Sequence, residues 1–253
     1  MDEKITSINN SLVKYSQKLQ QKKYRDEEDK FLLEGYKSIE EAVNAKLDIE
    51  YIFVLEDKIN KYSFYKGRKY ITTEAVLGKI SVADTPPEAV GIARKKHFNL
   101  GDFKNYKRVI LLEDIKDLGN LGTIIRTACA FGANGIILYG NCADMYNPKC
   151  VRASVGNLWK IPIAKTSSIS ELNAIFNDFD RIATLPLAKK HLKEYKIGEK
   201  ALIMFGSEAN GLSDELINFS TDSIKIEMSE NVESLNLAVS CSVIMYNCFN
   251  NGK

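Results

Sequence analysis

Apolar residues along this chain occur in two alternating patterns. Short continuous runs such as "FLLE", "IEYIFVL" and "GIILY" predict strands, whereas Ile39, Ala42, Val43 and Leu47 keep a helical spacing. The alternation continues through both halves of the chain. It predicts an α/β protein, with a mainly parallel sheet flanked by helices in the second half and a smaller α/β domain in the first.

The boundary between the two predicted domains lies in a polar stretch. Pro86 and Pro87 interrupt the pattern before a further strand, and "KKHFNLGDFKNYK" follows that strand as the best linker candidate. The sequence therefore predicts a first domain over 1–103 and a second over 104–253.

The last helix is predicted over an unusually apolar segment. In "NVESLNLAVSCSVIMY", Asn231 to Tyr246, apolar residues occur on all sides, which predicts a helix buried in the core. The run begins with Ser234 and Asn236. Such residues either cap the free amides of the first helical turn or, at a helix N-terminus that faces a site, contact a ligand.

Composition excludes several classes of protein. The chain has 253 residues, of which 45% are hydrophobic, and no apolar run approaches the length of about 18 that a membrane span needs. The N-terminus lacks the order of a signal peptide, so we expect a cytoplasmic protein. The five cysteines form no C-x-x-C pair and the two histidines lie far from them, so neither a disulfide framework nor a metal site is expected.

Charge becomes informative only locally. Residues 1–103 carry 18 Lys and Arg against 17 Asp and Glu, so the bulk balance does not indicate nucleic acid. However, spacings of four, four and three place Lys14, Lys18, Lys22 and Arg25 on one face of a helix predicted from about Ser11. This row is either a solvated helix face or a ridge that binds phosphates.

Three polar segments follow predicted strands of the second half, where ligands of parallel sheets bind. They are "GNLG", "GSEANGLS" and "SENVESLN". The second has the glycine spacing of a phosphate-binding loop between Gly206 and Gly211, but Leu212 stands where that loop needs lysine. A glycine directly after a strand still lets a ligand approach the backbone closely.

An arginine lies within an otherwise apolar helix. Arg126 is surrounded by Ile124, Ile125, Ala128 and Ala130. Its guanidinium must be paired, extended to solvent or aimed at an anion. Its position alone leaves a structural ion pair and a binding site equally open.

Taken together, the three segments resemble a known family. In order and spacing, "GNLGTIIRTACAFGA", "FGSEANGLSDEL" and "IEMSENVESLNLAVS" are similar to the signature motifs of the SpoU/TrmH family of RNA ribose 2'-O-methyltransferases. Residues "ITSINNSLVKYSQKLQQKKYRDEEDKFLLEG" likewise resemble the substrate-binding domain of many members. The resemblance implies a C-terminal trefoil knot, S-adenosylmethionine as cofactor, and a homodimer formed through the second domain.

The resemblance also assigns roles to individual residues. The catalytic positions are Arg126, Asn120, Glu208, Ser234 and Asn236, and the cofactor-binding positions are Gly206, Ile226, Met228 and Leu235. A guanidinium stays protonated, so Arg126 is expected to stabilise a developing alkoxide or to anchor a phosphate, with Glu208 positioning it within one chain or across a dimer interface.

The implied substrate is structured RNA, gripped by Lys14, Lys18, Lys22 and Arg25. The separate first domain favours ribosomal RNA. Transfer RNA is the alternative substrate, and a non-catalytic RNA-binding or ribosome-assembly protein of the same fold is the alternative class.

Overall fold

The computed structural model describes residues 3–229, 231–232 and 234–250, without the side chains of residues 249 and 250. By their internal contacts, the residues form two compact units. Unit 1 comprises residues up to Lys96 together with Asp144–Lys160, and unit 2 comprises His97–Ala143 with the residues from Ile161 onward.

The strands of the described residues are β1 Glu3–Ile5, β2 Lys30–Glu34, β3 Ile49–Leu55, β4 Arg68–Thr72, β5 Ala89–Arg94, β6 Arg108–Glu113, β7 Gly135–Tyr139, β8 Ile163–Thr166, β9 Asp180–Thr184, β10 Lys190–His191, β11 Ala201–Phe205 and β12 Asp222–Lys225. The α-helices are α1 Ser11–Lys18, α2 Lys22–Glu28, α3 Tyr36–Asn44, α4 Glu74–Ile80, α5 Leu118–Phe131, α6 Pro148–Ala153, α7 Ile169–Phe176, α8 Asp214–Phe219 and α9 Leu237–Asn250. Short 3-10 helices occur at Glu56–Tyr62, Leu100–Asn105 and Leu192–Glu194.

Unit 1 contains a mixed five-stranded sheet in the order β1-β4-β3-β5-β2. The strands β1, β4 and β3 are parallel to one another, while β5 runs antiparallel to both of its neighbours, β3 and β2. Apolar side chains of α1 and α4, including Val13 and Leu77, belong to the same buried cluster as Phe53 of the sheet. The smaller α/β domain predicted for this part of the chain is confirmed.

The prediction of one long basic helix from Ser11 is wrong. The chain forms α1 and α2 instead, separated at Leu19–Gln21. Asn10 caps α1 by accepting a hydrogen bond from the Leu12 amide at 2.8 Å. The break moves the four basic residues off a common helix face.

Residues Asp144–Lys160 lie in unit 1, although the predicted second domain, 104–253, includes them. Helix α6 packs on β2, and the ring of Phe31 in β2 lies 4.7 Å from that of Tyr146 and 6.3 Å from that of Trp159, measured between centroids. Aromatic burial of this kind contributes strongly to packing. A division at one point along the sequence therefore does not describe the contacts of this segment.

Unit 2 contains a seven-stranded sheet in the order β10-β12-β9-β11-β6-β7-β8. Every neighbouring pair is parallel. Strands β7 and β11 are buried along their whole length, as expected of strands covered on both faces. The parallel sheet predicted for the second half is confirmed, whereas α8 and the short β10 were not predicted.

Helix α9 is only partly buried, which corrects the expectation of a core helix. Cys241, Ile244, Met245 and Cys248 are buried. Burial raises the pKa of the Cys248 thiol to about 12. By contrast, Val239 is 48% exposed and Tyr246 is 62% exposed. Across the described residues, every helix is too short or too polar to span a bilayer.

Candidate active site

A cavity of about 500 Å³ opens where β11 and β12 end and α9 begins. This is the edge of a parallel sheet where ligands bind, and the volume is sufficient for a small cofactor. All four residues predicted to bind the cofactor line the cavity, namely Gly206, Ile226, Met228 and Leu235. Glu208, Ser234 and Asn236 line it as well. The two polar segments that follow β11 and β12 are thus brought together.

Gly206 is required by the loop that forms one wall of this cavity. A Cβ atom at this position would lie 1.9 Å from the carbonyl carbon of Gly211 and 2.1 Å from the Leu212 amide nitrogen. The loop closes on itself because Ser207 and Gly211 exchange backbone hydrogen bonds of 3.1 and 3.0 Å. Gly211 has a positive φ of 66°, which favours glycine. The sequence pointed to close approach at Gly206, and the approaching group is the protein's own backbone.

Three predicted polar residues form one continuous hydrogen-bonded chain. The Asn236 side chain donates from Nδ2 to Asn120 Oδ1 at 3.1 Å, and Asn120 donates from Nδ2 to Glu208 Oε1 at 2.7 Å. At the other end, Asn236 Oδ1 accepts from the backbone amides of Ala238 and Val239 at 2.9 and 3.3 Å. Asn236 is therefore the cap of α9 and a member of the cavity wall at the same time.

The two ends of this chain determine the orientation of both amide groups. A carboxylate can only accept hydrogen bonds, and the free amides of a helix N-terminus can only donate them. Each asparagine must therefore turn its nitrogen toward Glu208 and its oxygen toward α9. Asp117 holds the position of Asn120 by accepting a 2.7 Å hydrogen bond from its backbone amide. The result is a polar rim whose hydrogen bonds all run in one direction.

Ser234 and Arg126 are placed differently from these three residues. Ser234 lines the cavity with an exposed side chain that has no hydrogen-bond partner among the described residues. Arg126 is exposed and lies outside the described wall of the cavity. It follows Asn120 by six residues, which places it about 9 Å along α5 and about 240° around the helix axis.

No described carboxylate pairs with Arg126, so the ion pair that its apolar surroundings left open is not formed within this part of the chain. The expectation that Glu208 positions Arg126 is likewise not met within the described residues of one chain, where Glu208 accepts from Asn120 instead. The guanidinium is available to a group outside these residues.

Some residues of the cavity wall were not predicted. Thr184 ends β9 and is followed by Leu185 and Pro186, and Lys225 and Ser240 also line the cavity. No specific signal in the sequence pointed to them, and the first three lay within the strand predicted over "DRIATLPL". The N-cap Asp117 stands immediately before an apolar helix, a recognisable start signal. Among the described residues, no group of three or more potential ligands is placed to hold a metal ion.

Two family models match this chain, one in each half. Residues 107–246 match the SpoU rRNA Methylase family, and residues 10–91 match the MRM3-like substrate binding domain. A protein of Synechocystis sp. described as an uncharacterized tRNA/rRNA methyltransferase is 32% identical, over 96% of this chain and 92% of that protein. This chain belongs to the SpoU rRNA methylase family.

Two further relatives match this SpoU-family chain over nearly its whole length. The 23S rRNA (guanosine(2553)-2'-O)-methyltransferase RlmP of Bacillus subtilis is 26% identical, over 96% of this chain and 97% of its own length. A crystal structure of an AdoMet-bound rRNA methyltransferase from Sinorhizobium meliloti has a TM-score of 0.87 and 29% identity, covering 97% of this chain and 96% of that one.

Helix α9 carries an exposed apolar stripe next to α5, the helix that contains Arg126. Val239, Val243 and Tyr246 of this helix follow the helical spacing and are 48%, 39% and 62% exposed, and Leu235, two residues before the helix begins, is 36% exposed. Helix α9 packs on α5, where the Tyr246 and Phe131 ring centroids are 5.6 Å apart. Regularly spaced exposed apolar side chains of this kind are typical of an interaction surface.

The basic residues predicted to bind RNA lie in unit 1 and do not form one set. Lys14 and Lys18 are exposed, and Lys22 is exposed but paired with Asp26 at 3.1 Å. Arg25 is only 1% exposed and pairs with Asp144 at 2.6 Å. The inclusion of Arg25 in an exposed ridge is therefore wrong, because its guanidinium is a buried structural group.

Proposed function

We propose that this chain is an S-adenosylmethionine-dependent methyltransferase that modifies a ribose 2'-hydroxyl in ribosomal RNA. The observation that carries the proposal is the cavity at the start of α9, with the hydrogen-bonded chain of Glu208, Asn120 and Asn236 at its rim. Family membership supports the reaction class. The names of the B. subtilis and S. meliloti relatives support ribosomal RNA.

The cavity wall fits the cofactor chemically. Ile226, Met228 and Leu235 offer apolar contacts, and the loop after Gly206 offers backbone groups. Such a lining suits an adenine ring and a thioether, which need close packing and amide partners more than charge. When bound, S-adenosylmethionine supplies an electrophilic methyl group. The residues of the chain must therefore hold the ribose oxygen in line with that group and stabilise its charge.

The polar rim is suited to orient the ribose. The Asn236 and Asn120 amides are held by the ends of their hydrogen-bonded chain, so they need not reorganise when substrate enters. Glu208 Oε2 and the Ser234 hydroxyl have no described partner and remain available to hydroxyl groups of the nucleotide. We assign these four residues to positioning the reacting nucleotide.

In this proposal, the positive charge that stabilises the reacting oxygen is that of Arg126 from a second copy of the chain. Arg126 lies outside the described cavity wall of its own chain, and the apolar stripe of α9 is exposed beside it. A homodimer that covers the stripe would bury apolar area and bring Arg126 of the partner subunit to the cavity. There its permanent charge would stabilise the developing alkoxide or anchor the adjacent phosphate.

The remaining features of the proposal follow from the family. Residues that precede α9 would form the trefoil knot, and unit 1 would grip structured RNA in the cytoplasm through Lys14, Lys18 and Lys22. Transfer RNA is the second candidate substrate, because the Synechocystis relative is described as a tRNA/rRNA methyltransferase. A protein that binds RNA without catalysing transfer is the rival class.

The test measures transfer of labelled methyl from S-adenosylmethionine to unmodified ribosomal and transfer RNA in parallel, followed by alkaline hydrolysis. We expect label in alkali-resistant dinucleotides of ribosomal RNA, lost in Arg126→Ala and weakened in Arg126→Lys. Label in transfer RNA alone would change the substrate. Cofactor binding by calorimetry without transfer to either RNA would favour the non-catalytic class.

A further inference from the structure

The break between α1 and α2 is held by the buried side chain of Arg25. Its Nη1 donates to the backbone oxygens of Leu19 and Gln20 at 2.9 and 2.7 Å, and its Nη2 donates to Asp144 at 2.6 Å. The two carbonyls are among those left without helical partners where α1 ends. Arg25 thus caps α1 and fixes the direction in which α2 leaves it.

This break places an aromatic ring between ammonium groups of two helices. Lys18 Nζ of α1 lies 5.4 Å from the Tyr24 ring centroid, and Lys23 Nζ of α2 lies 5.8 Å from it. The Tyr24 side chain is half-buried, and its hydroxyl has no hydrogen-bond partner among the described residues. The ring was not singled out by the sequence pattern, which placed only basic residues on this face.

Neither lysine beside the ring has a close ion-pair partner among the described residues. Lys18 forms no ion pair with a described residue, and Lys23 has only a loose contact of 3.8 Å with Glu27, where both side chains are exposed. Asp26 is engaged by Lys95 and Lys22 at 2.6 and 3.1 Å. A contact between a cation and an aromatic ring is weak at an exposed site, so both ammonium groups can exchange the ring for phosphates at little cost.

We propose that Tyr24 stacks on an unpaired base of the substrate RNA while Lys18 and Lys23 contact the flanking phosphates. The inference rests on the proposed function, in which RNA is the substrate, and it names the kind of RNA that unit 1 recognises. A duplex presents phosphates to lysines, but its base faces are stacked on one another and cannot stack on the Tyr24 ring. An unpaired nucleotide uses both features.

The experiment measures binding of the full chain to a labelled 12-nucleotide oligouridine and to a 12-base-pair RNA duplex by fluorescence anisotropy. We expect Tyr24→Ala to weaken oligouridine binding roughly ten- to a hundredfold and duplex binding less than twofold. Tyr24→Phe retains the ring and should bind like the unaltered chain. Circular dichroism and a thermal melt check that each variant is folded.

A charge control separates the two lysines from net charge. Lys18→Gln/Lys23→Gln should lower the slope of log affinity against log salt for oligouridine by about 1.4, because each phosphate contact contributes about 0.7. Lys46→Gln/Lys66→Gln removes the same charge elsewhere in unit 1 from exposed side chains and should change the slope much less. Equal changes in the two double variants would overturn the phosphate contacts.

Two outcomes distinguish this inference from the proposed function. Oligouridine binding that is unaltered in Tyr24→Ala, or lost equally for duplex, would overturn the stacking role and leave the proposed function standing. Failure of the unaltered chain to bind oligouridine would overturn the inference, while methyl transfer to ribosomal RNA decides the proposed function separately. Retained binding to cofactor in calorimetry would then show that the failure concerns RNA alone.

Discussion

The regions around Arg25 and Arg126 use the same side chain in opposite ways. Arg25 comes from a polar, charged helix and is buried against Asp144, while Arg126 comes from an apolar helix and is exposed without a described partner. The buried arginine holds a turn of unit 1, and the exposed one is available to a ligand or a second subunit. Hydrophobic surroundings in sequence therefore do not report whether an arginine is structural.

The largest expected effect is on the structural side of this comparison. Arg25→Met leaves the Asp144 carboxylate buried without its partner, so we expect the free energy of unfolding to fall by about 3–5 kcal/mol in urea denaturation. Arg25→Met/Asp144→Leu removes the stranded charge and should recover much of that loss. A loss below about 1 kcal/mol in the single variant would contradict the structural assignment of Arg25.

Arg126→Ala should show the reverse pattern. We expect methyl transfer to fall by about 10²–10³-fold, which corresponds to about 2.7–4 kcal/mol of transition-state stabilisation. Because the side chain is exposed and has no described partner, the free energy of unfolding should change by less than about 0.5 kcal/mol. Single-turnover kinetics and urea denaturation on the same preparations provide the two values. Comparable losses in methyl transfer and in the free energy of unfolding would show that Arg126, like Arg25, has a structural role.

Asn236 tests whether one residue can belong to both classes. Asn236→Ala removes the cap of α9, at about 1 kcal/mol of stability, and also breaks the chain to Asn120, which we expect to cost about a hundredfold in methyl transfer. Asn236→Asp keeps an oxygen for the Ala238 amide but loses the donor to Asn120. It should retain stability and lose transfer; the opposite result would reduce Asn236 to a simple cap.

Gly206 tests the cavity wall itself. In Gly206→Ala the new methyl group would meet the backbone of Gly211, so the loop must shift, and we expect cofactor affinity to fall by about tenfold in calorimetry. Gly101→Ala is the matched control, since a Cβ atom there meets no atom within 4 Å. Equal affinities in the two variants would show that the loop tolerates the shift.

The smallest expected effect concerns the exposed lysines of unit 1. Lys14→Gln/Lys18→Gln removes two charges that have no described ion-pair partner, so RNA binding should weaken and its salt slope should fall by about 1.4 to 1.8. A salt series by anisotropy measures the slope. Binding that is unchanged across the series would remove both lysines from the RNA surface.

Much of the fold and part of the candidate site could be predicted. The alternating pattern predicted both sheets, and the strands before Gly206 and Ser229 led to the two polar segments that line the cavity. The position of Arg126 relative to the cavity could not be predicted, because helical spacing gives a direction around α5 but not what lies opposite it. The exposure of Val239 was missed for a related reason, since an all-round apolar helix does not reveal which face lacks a partner in its own chain.

By itself, the sequence determined the features that depend on neighbouring residues: the alternation of strands with helices, the cap at Asn236, and the glycine loop after β11. These depend on side-chain periodicity and on backbone groups a few positions apart. Only the tertiary structure decided that the chain breaks between α1 and α2, since Leu19–Gln21 contains neither glycine nor proline. The group that holds the break joins Arg25 to Asp144, 119 positions away, and such a long-range ion pair leaves no local pattern to read.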